Sequence, residues 1–161
     1  MRGFFGTALL AFVTYILFTG SARVFDVVTG VIVAVGVGLF MGKYVVESDV
    51  RALNPLRWLW ALIYFIWYMI FAEIRAHLDV MGRVVTGKFE PGIVKVPIGV
   101  KTDYAKTLVA NSITNTPGTV VVDLDEKHMY VNWINVVTEE PEEARKMILE
   151  NFERFAKRIF E

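Results

Sequence analysis

The sequence predicts a membrane protein with an α-helical N-terminal part of two or three helices, followed by a small soluble α+β domain of order β-α-β-β-α. Apolar runs fill most of the first seventy residues, and the 161-residue chain is 55% hydrophobic, well above an ordinary soluble domain. From about residue 90 the composition becomes more polar and strand-like. We therefore predict membrane or interfacial helices within 1–73, a linker at 74–91 and an α+β domain at 92–161.

The first apolar run extends from Gly3 to Gly20 and contains no charged residue. Its eighteen residues would form a helix of roughly 27 Å, against a hydrocarbon core of about 30 Å. A signal peptide is the alternative, since Arg2 precedes the run and small residues follow it. Because a second apolar run starts almost at once, we expect a retained membrane helix over about 3–20.

The second apolar run predicts a membrane helix over about 24–42. Four small residues recur in it at intervals of four, at Gly30, Ala34, Gly38 and Gly42. This spacing aligns them on one helical face and allows the backbone of another helix to approach closely. Chance is the alternative, because glycine and alanine are common in membrane helices. We predict that this face packs against a protein helix.

Two carboxylates lie at the ends of apolar runs. Asp26 falls in the first turn of the second run, and Glu73 directly follows the third. A carboxylate inside lipid costs at least about 2.5 kcal/mol, so a conducting path would be expected to contain several. We interpret both residues as membrane-edge carboxylates and expect no ion path within this chain alone.

The third apolar run has only fifteen uncharged residues, from Trp58 to Ala72. With Asn54 and Pro55 as a start signal, we predict a helix over about 55–72. A helix made of the uncharged stretch would measure about 22 Å, which is short for a span. It therefore either crosses a thinned or tilted region or lies against the interface. Its aromatic residues, which favour the headgroup level, recur at Trp60, Tyr64, Trp67 and Phe71.

The C-terminal part predicts three strands and two helices. The segment GIVKVPI at 92–98 is strand-like, and Asp103 can cap a helix that ends near Ile113. Residues 119–137 predict two strands joined by a turn at 125–127. A right-handed crossover would place the first and second strands in parallel.

The final helix is predicted to be amphipathic. Thr138 or Glu140 caps it, and Pro141 stands in its first turn. Acidic residues cluster at its start and basic residues near its end, as the helix dipole favours. Its apolar stripe consists of Ala144, Ile148, Phe152, Phe155 and Ile159.

A polar segment, SITNTPGTV, connects the first helix of this domain to the second strand. Pro117 and Gly118 suit the central positions of a type II turn. Thr114, Thr116 and Thr119 can bond nearby backbone groups, so a purely local structural role would explain the segment. A functional role is the alternative.

The composition excludes several classes of function. Lysine and arginine balance aspartate and glutamate at 17 each without a basic block, so nucleic acid is not an expected partner. Without cysteine, and with only His77 and His128, no metal site is expected. Ser112 has no histidine and aspartate in a triad-like arrangement, and no glycine-rich phosphate loop is present. We predict no catalysis, no metal and no cofactor.

Several segments together resemble a known family. Short membrane helices followed by PGIVKVP, KTDYAKTLVANSITNTPGTVVVD and YVNWINV are similar to the E subunit of Mrp-type multisubunit cation/proton antiporters, over essentially the whole chain. Glu73 also falls where the family tends to carry a glutamate. The most specific part of the resemblance is formed by Asn111, Ile113, Thr114, Thr116, Pro117, Gly118 and Thr119.

The chain departs from the family pattern at three positions. Asn115 stands where the family usually has an apolar residue. Asn132 and Asn135 stand where the last strand usually carries a histidine and an aspartate. If that histidine and aspartate serve ion coupling or a subunit contact, this chain lacks them.

The resemblance implies a non-catalytic accessory subunit of a multisubunit Na⁺/H⁺ antiporter in the cell membrane. Its C-terminal domain would be cytoplasmic, and its partners would be larger membrane subunits and the lipid bilayer. The same antiporter-like module occurs in archaeal membrane-bound hydrogenases and related redox complexes, which is the alternative host. A stand-alone membrane-anchored binding domain is a second alternative. The ordered small residues favour assembly over a simple anchor.

Overall fold

The computed structural model describes residues 3–46 and 49–161. Arg2, the basic residue before the first apolar run, lies outside the described residues. The chain forms two compact units, Met1–Pro55 and Leu56–Glu161. The predicted boundary at residue 73 thus differs from the structural division, because the third helix packs on the C-terminal elements and belongs with them.

The first unit is a helical hairpin followed by one short helix. Helix α1 (Phe4–Thr19) lies between Gly3 and Gly20, both in the left-handed region with φ of 76° and 62°. Helix α2 (Val24–Val45) has 22 residues and is long and apolar enough to cross a membrane. Helix α3 spans Asp49–Ala52.

Polar contacts hold α1 in place at two levels. Gly3 has no side chain to cap α1, and the Gly6 N–H instead donates to Asp49 Oδ1 at 2.7 Å. A carboxylate suits this position because the first N–H groups of a helix lack partners and carry partial positive charge. Further along, the Tyr15 hydroxyl and Thr29 Oγ1 lie 2.9 Å apart and join α1 to α2.

A long helix of 32 residues, Pro55–Thr86, starts at the boundary, and all of it after Pro55 belongs to the second unit. It consists of α4 (Pro55–Trp67), a π-helical turn (Tyr68–Ala72) and α5 (Glu73–Thr86). At 1.5 Å per residue it measures about 48 Å, and its length and hydropathy suit a membrane span. The third apolar run is therefore only the first part of this helix.

Most of the segment predicted as a linker, 74–91, is helical. Asp79 and Arg83 form an ion pair at i, i+4 spacing, with a separation of 2.7 Å, which supports the helix. Gly87, with φ of 65°, ends it by donating its N–H to the Arg83 carbonyl. Only the residues from 87 to the first strand connect the long helix to the sheet.

The sheet has three strands, β1 (Gly92–Pro97), β2 (Thr119–Leu124) and β3 (His128–Trp133), in the order β1-β3-β2. Both pairings are antiparallel. The first and second strands run in the same direction, as expected, but they are not neighbours because β3 pairs with each of them. Met129 and Val131 of β3 have no exposed surface, and burying them in the core favours the central position for this strand.

Helix α6 (Asp103–Asn115) lies between β1 and β2 in the chain and packs on β2. Its N-cap is Thr102 rather than the predicted Asp103, because Thr102 Oγ1 accepts the Ala105 N–H at 3.3 Å. The helix also continues two residues beyond Ile113.

The predicted final helix forms as two segments, α7 (Pro141–Ile148) and α8 (Glu150–Phe160). Pro141 begins the first segment after Glu140 in the N-cap position. The interruption at Leu149 brings a further apolar side chain into the core, where it is fully buried. The predicted apolar stripe is buried along its whole length, at Ala144, Ile148, Phe152, Phe155 and Ile159.

Candidate functional site

The polar motif, residues 111–119, forms the end of α6 and the turn into β2. Thr119 N–H donates to the Thr116 carbonyl at 3.4 Å across Pro117 and Gly118. Gly118 has φ of 96°, which a type II turn requires at its third residue. A Cβ at Gly118 would lie 3.1 Å from Ile134 Cγ2, so close packing adds to the conformational reason for glycine.

Threonine side chains of the polar motif bond to its own backbone. Thr116 Oγ1 donates to the Ser112 carbonyl at 2.7 Å, and Thr119 Oγ1 donates to the Ile113 carbonyl at 2.8 Å. Thr114 Oγ1 accepts the Val121 N–H at 3.2 Å, which joins the helix end to β2. The Ser112 carbonyl also accepts the Thr116 N–H, whereas the Thr119 bond gives a partner to the Ile113 carbonyl, which the end of the helix leaves without one.

The polar motif also contacts the long helix. The Tyr64 hydroxyl and Ser112 Oγ form a short hydrogen bond, and the Tyr68 hydroxyl lies 3.5 Å from Thr116 Oγ1. Ser112 donates its one hydroxyl proton to the Leu108 carbonyl at 2.6 Å, so Tyr64 is the donor to Ser112. Tyr64 and Ser112 are both buried, which makes this the better shielded of the two contacts.

Sequence reasoning missed Tyr64, Tyr68 and Ser112 as partners of the polar motif. Two tyrosines four residues apart on the long helix meet two hydroxyl residues four residues apart, Ser112 in α6 and Thr116 at its C-cap. Matched i, i+4 spacing on two helices is the signal that could have identified the pairing. This signal can be used only when the long helix and α6 are known to lie side by side.

An aromatic cluster holds α8 against the same helix. The Trp67 ring lies 5.0 Å from that of Phe155, and the Tyr64 ring lies 5.3 Å from Phe155. The Arg158 guanidinium lies 4.1 Å from the Trp60 ring centre. Three of the four aromatic residues assigned to the headgroup level therefore contact the C-terminal domain. Only Phe71 among them is well exposed, at 62%.

Glu73 lies directly after the π-helical turn, beside the polar motif. Its N–H donates to the Tyr68 carbonyl five residues earlier, and the Tyr68 hydroxyl interacts with its carboxylate. Its Oε2 lies 3.4 Å from His77 Nδ1. Extra residues of this kind in a helix re-aim the following side chains and are frequent at functional sites. The turn thereby brings Glu73 into the same surface region as Asn115.

The remaining predicted motif residues differ in exposure. Ile113 is fully buried in the core, whereas Asn111 and Thr114 are exposed. The half-buried members are those of the turn, Thr116, Pro117, Gly118 and Thr119.

The small-residue face of α2 is buried within the first unit, at Gly30, Ala34, Gly38 and Gly42. Added Cβ atoms at the glycines would meet α1: at Gly38 the nearest atoms belong to Phe4 and Ala8, at 3.0 and 3.1 Å. The helix that approaches this face is therefore α1 of the same chain. Asp26 lies at the other end of the hairpin, where Ser21 Oγ donates to its Oδ2 at 2.6 Å.

Two groups away from the polar motif have shifted pKa values. Backbone N–H groups of Lys127 and then His128 bond to Asp125 and lower its pKa to about 2. The nearby Glu153 carboxylate, 2.7 Å away, raises the pKa of Arg145. Both interactions lie within the C-terminal domain. Within residues 3–46 and 49–161, no three His, Cys, Asp or Glu side chains form a group able to hold a metal ion.

Comparison with known proteins gives consistent results. Residues 8–159 match the family model of the Na⁺/H⁺ ion antiporter subunit (MNHE). The E subunit of the Na⁺/H⁺ antiporter of Alkalihalophilus pseudofirmus is 32% identical over 157 residues, covering 95% of this chain and 93% of that protein. The E1 subunit of the Na⁺/H⁺ antiporter of Staphylococcus haemolyticus is 32% identical, covering 91% of each.

A solved structure is similar as well. One chain of the membrane-bound sulfane sulfur reductase, an archaeal respiratory membrane complex, matches with a TM-score of 0.86 and 30% identity, covering 99% of this chain and 100% of that one. The matches extend over both the helical part and the α+β domain, and they confirm the resemblance drawn from the polar motif. This chain is a membrane protein and belongs to the Na⁺/H⁺ ion antiporter subunit family.

Proposed function

We propose that this chain is a non-catalytic accessory subunit of a multisubunit cation/proton antiporter, and that ions move through larger partner subunits. The observation that carries the proposal is the family match over residues 8–159. The site supports it, because the Tyr64 hydroxyl bonds to Ser112, and the Ser112 and Thr116 hydroxyls bond to backbone carbonyls, so these groups serve the structure. The carboxylates of the apolar runs, Asp26 and Glu73, are too few for a pathway.

In this proposal the polar motif anchors the α+β domain to the long helix. The Tyr64–Ser112 bond is buried, and the aromatic cluster around Phe155 continues the contact. A change in the angle of the long helix would therefore carry the domain with it. The polar motif thus serves assembly and coupling between membrane and domain, and chemistry takes place elsewhere in the complex.

A double-mutant cycle tests this anchoring role. Tyr64→Phe alone leaves buried Ser112 with one partner fewer, and we expect about 1 kcal/mol of lost domain stability. Ser112→Ala alone leaves the buried tyrosine hydroxyl without its acceptor, which costs about 1–3 kcal/mol. The double variant should be more stable than the sum of these losses predicts, with a coupling of at least about 0.5 kcal/mol. Additive losses would show that the two hydroxyls do not interact.

We also propose that the C-terminal domain lies in the cytoplasm, as the resemblance implies. Because the chain has no cysteine, a single thiol can report on topology. Lys127→Cys places it on an exposed turn of the domain. A membrane-impermeant maleimide should label this thiol only after the cells are opened. Labelling of intact cells would place the domain outside.

The primary test is purification of the tagged chain from membranes in mild detergent, with mass spectrometry of the proteins that stay bound. Multi-span antiporter-type subunits are expected. Recovery of the chain alone, folded and monodisperse, would contradict the accessory role and favour an anchored binding domain.

A redox-driven ion pump is the second candidate host. The match to a chain of an archaeal respiratory membrane complex, with a TM-score of 0.86 over 99% of this chain, supports it. The same purification separates the two hosts, because iron–sulfur or nickel subunits would accompany the chain only in a redox-driven complex.

A further inference from the structure

The long helix carries an open groove of about 530 Å³ next to the polar motif. We call it the Glu73 groove. Its polar members are Tyr68, Glu73, His77 and Asn115, and its apolar members are Met69, Ile74 and Leu78. The six groove residues of the long helix cover about two and a half turns of one side, and Asn115 at the end of α6 supplies the edge.

The Glu73 carboxylate is poorly compensated within its own chain. Its side chain is only 18% exposed, and its ion-pair partner among the described residues is His77 at 3.4 Å. His77 Nδ1 also lies 2.8 Å from the Glu73 carbonyl, which can only accept, so the Nδ1 proton serves the backbone. The Tyr68 hydroxyl also interacts with the carboxylate. A carboxylate with about four lone-pair sites keeps capacity for a further donor.

The surroundings of Glu73 favour a cation from another chain. The helix has no charged residue from Trp58 to Ala72, and Phe71, Ile74 and Leu78 near Glu73 are exposed apolar side chains, whereas Arg75 and Asp79 lie outside the groove. Such a surface faces lipid or protein. A carboxylate there is costly unless a positive charge pairs with it.

The shape of the groove selects the kind of occupant. The wall residues Met69, Ile74 and Leu78 lie along one side of a helix, as in the ridges and grooves by which two helices pack. A lysine or arginine on an apolar helix can extend its aliphatic stem along such walls and place its charge on Glu73. The Asn115 side chain, with an amide oxygen that can accept from the same cation, adds a second polar group at the edge of the groove.

We propose that the Glu73 groove seats a transmembrane helix of a partner subunit, and that a lysine or arginine of that helix pairs with the Glu73 carboxylate. This inference rests on the proposed assembly into a multisubunit complex. Beyond that assembly, the inference specifies the docking surface, names Glu73 as the residue that selects the partner, and assigns the partner a positive charge.

Photo-crosslinking in the assembled complex identifies the occupant. Benzoylphenylalanine replaces Leu78 inside the groove or, as the control, exposed Arg75 on the same helix but outside the groove. From Leu78 we expect a cross-link to a membrane segment of one partner, within about one helical turn of a lysine or arginine. Cross-links to lipid alone, in a complex that assembles normally, overturn the inference but leave the proposed function standing. Failure of wild-type chain to recover any partner contradicts the proposed function itself.

Charge substitutions test the ion pair. Glu73→Gln keeps the side-chain shape, and we expect cross-linking from Leu78 to fall at least about tenfold, because an unpaired partner cation would be left in the interface. Asp79→Asn is the matched control, since Asp79 is exposed on the same helix and pairs with Arg83. Glu73→Lys places a positive charge in the groove. Combined with replacement of the partner's cross-linked lysine or arginine by glutamate, it should restore recovery of the partner subunit. Wild-type cross-linking in Glu73→Gln, or no rescue by the double reversal, refutes the pairing.

Discussion

Substitution of Gly38 by leucine should open the helical hairpin. A Cβ at Gly38 would lie 3.0 Å from two ring carbons of Phe4 and 3.1 Å from Ala8 Cβ, which is tighter than ordinary contacts. Leucine adds three further carbons in the same direction, into space that α1 fills. Overpacking of this kind costs about 1–3 kcal/mol. The gain in helix propensity from replacing glycine, up to about 1 kcal/mol, offsets only part of it.

Gly36 on the same helix provides a matched control. A Cβ there would meet no atom within 4 Å, so Gly36→Leu adds the same side chain without a clash. We expect it to leave the hairpin unchanged or to stabilise it slightly through helix propensity. The difference between the two variants isolates the packing of α1 on α2.

Thr7 supplies a reporter for opening of the hairpin. It is 2% exposed, and its hydroxyl has no partner among the described residues, so Thr7→Cys changes little and introduces the chain's single thiol. A fluorogenic maleimide that enters detergent micelles then labels the thiol when α1 separates from α2. Because both variants gain the same helix propensity, a packing cost of about 1–3 kcal/mol predicts labelling about 5 to 160 times faster in Gly38→Leu than in Gly36→Leu, since RT is about 0.6 kcal/mol. Equal rates in Gly38→Leu and Gly36→Leu would refute the close-packing argument.

Three further predictions concern the α+β domain, each measured by denaturation of the full chain in detergent. Gly118→Ala should destabilise it by at least about 1–2 kcal/mol, because φ of 96° disfavours any side chain and the new Cβ would crowd Ile134; no loss would contradict the turn geometry. The pKa of Asp125 is lowered to about 2 by backbone N–H groups of its turn, so its stabilisation is complete above its ordinary pKa of 3.8 and disappears as pH falls towards 2. Asp125→Asn should remove that pH-dependent part, and an unchanged acid profile would argue against it. Phe155→Ala should cost about 3–5 kcal/mol and alter the fluorescence of Trp67, whose ring lies 5.0 Å away; an unchanged spectrum would contradict this packing.

The helical hairpin could be predicted largely from local patterns. The apolar runs predict the helices, and the four small residues of α2 predict the face on which another helix packs. The sequence did not identify which helix approaches, because α1 and a helix of another protein satisfy the pattern equally well. The Asp49 cap on Gly6 was also missed, since its donor and acceptor are 43 residues apart.

In the α+β domain, too, local features could be predicted from the sequence, whereas features that depend on tertiary contacts could not. The turn at Gly118 and the buried stripe of the last helices followed from residue chemistry and periodicity. The position of β3 between β1 and β2 did not, because strand order depends on which strand of the β2–β3 hairpin pairs with the distant β1. The π-helical turn before Glu73 carries no proline or glycine that would mark it in the sequence.

The polar motif explains how a membrane helix can carry a folded domain along its side. The C-terminal end of α6 has carbonyls without helical partners, and burying them against an apolar helix would be costly. Thr119 bonds one of these carbonyls, that of Ile113, and Ser112 presents its oxygen to Tyr64 of the long helix. The motif residues thus turn a polar helix end into a surface that packs against apolar neighbours. Their substitution should therefore weaken the contact between the domain and the long helix.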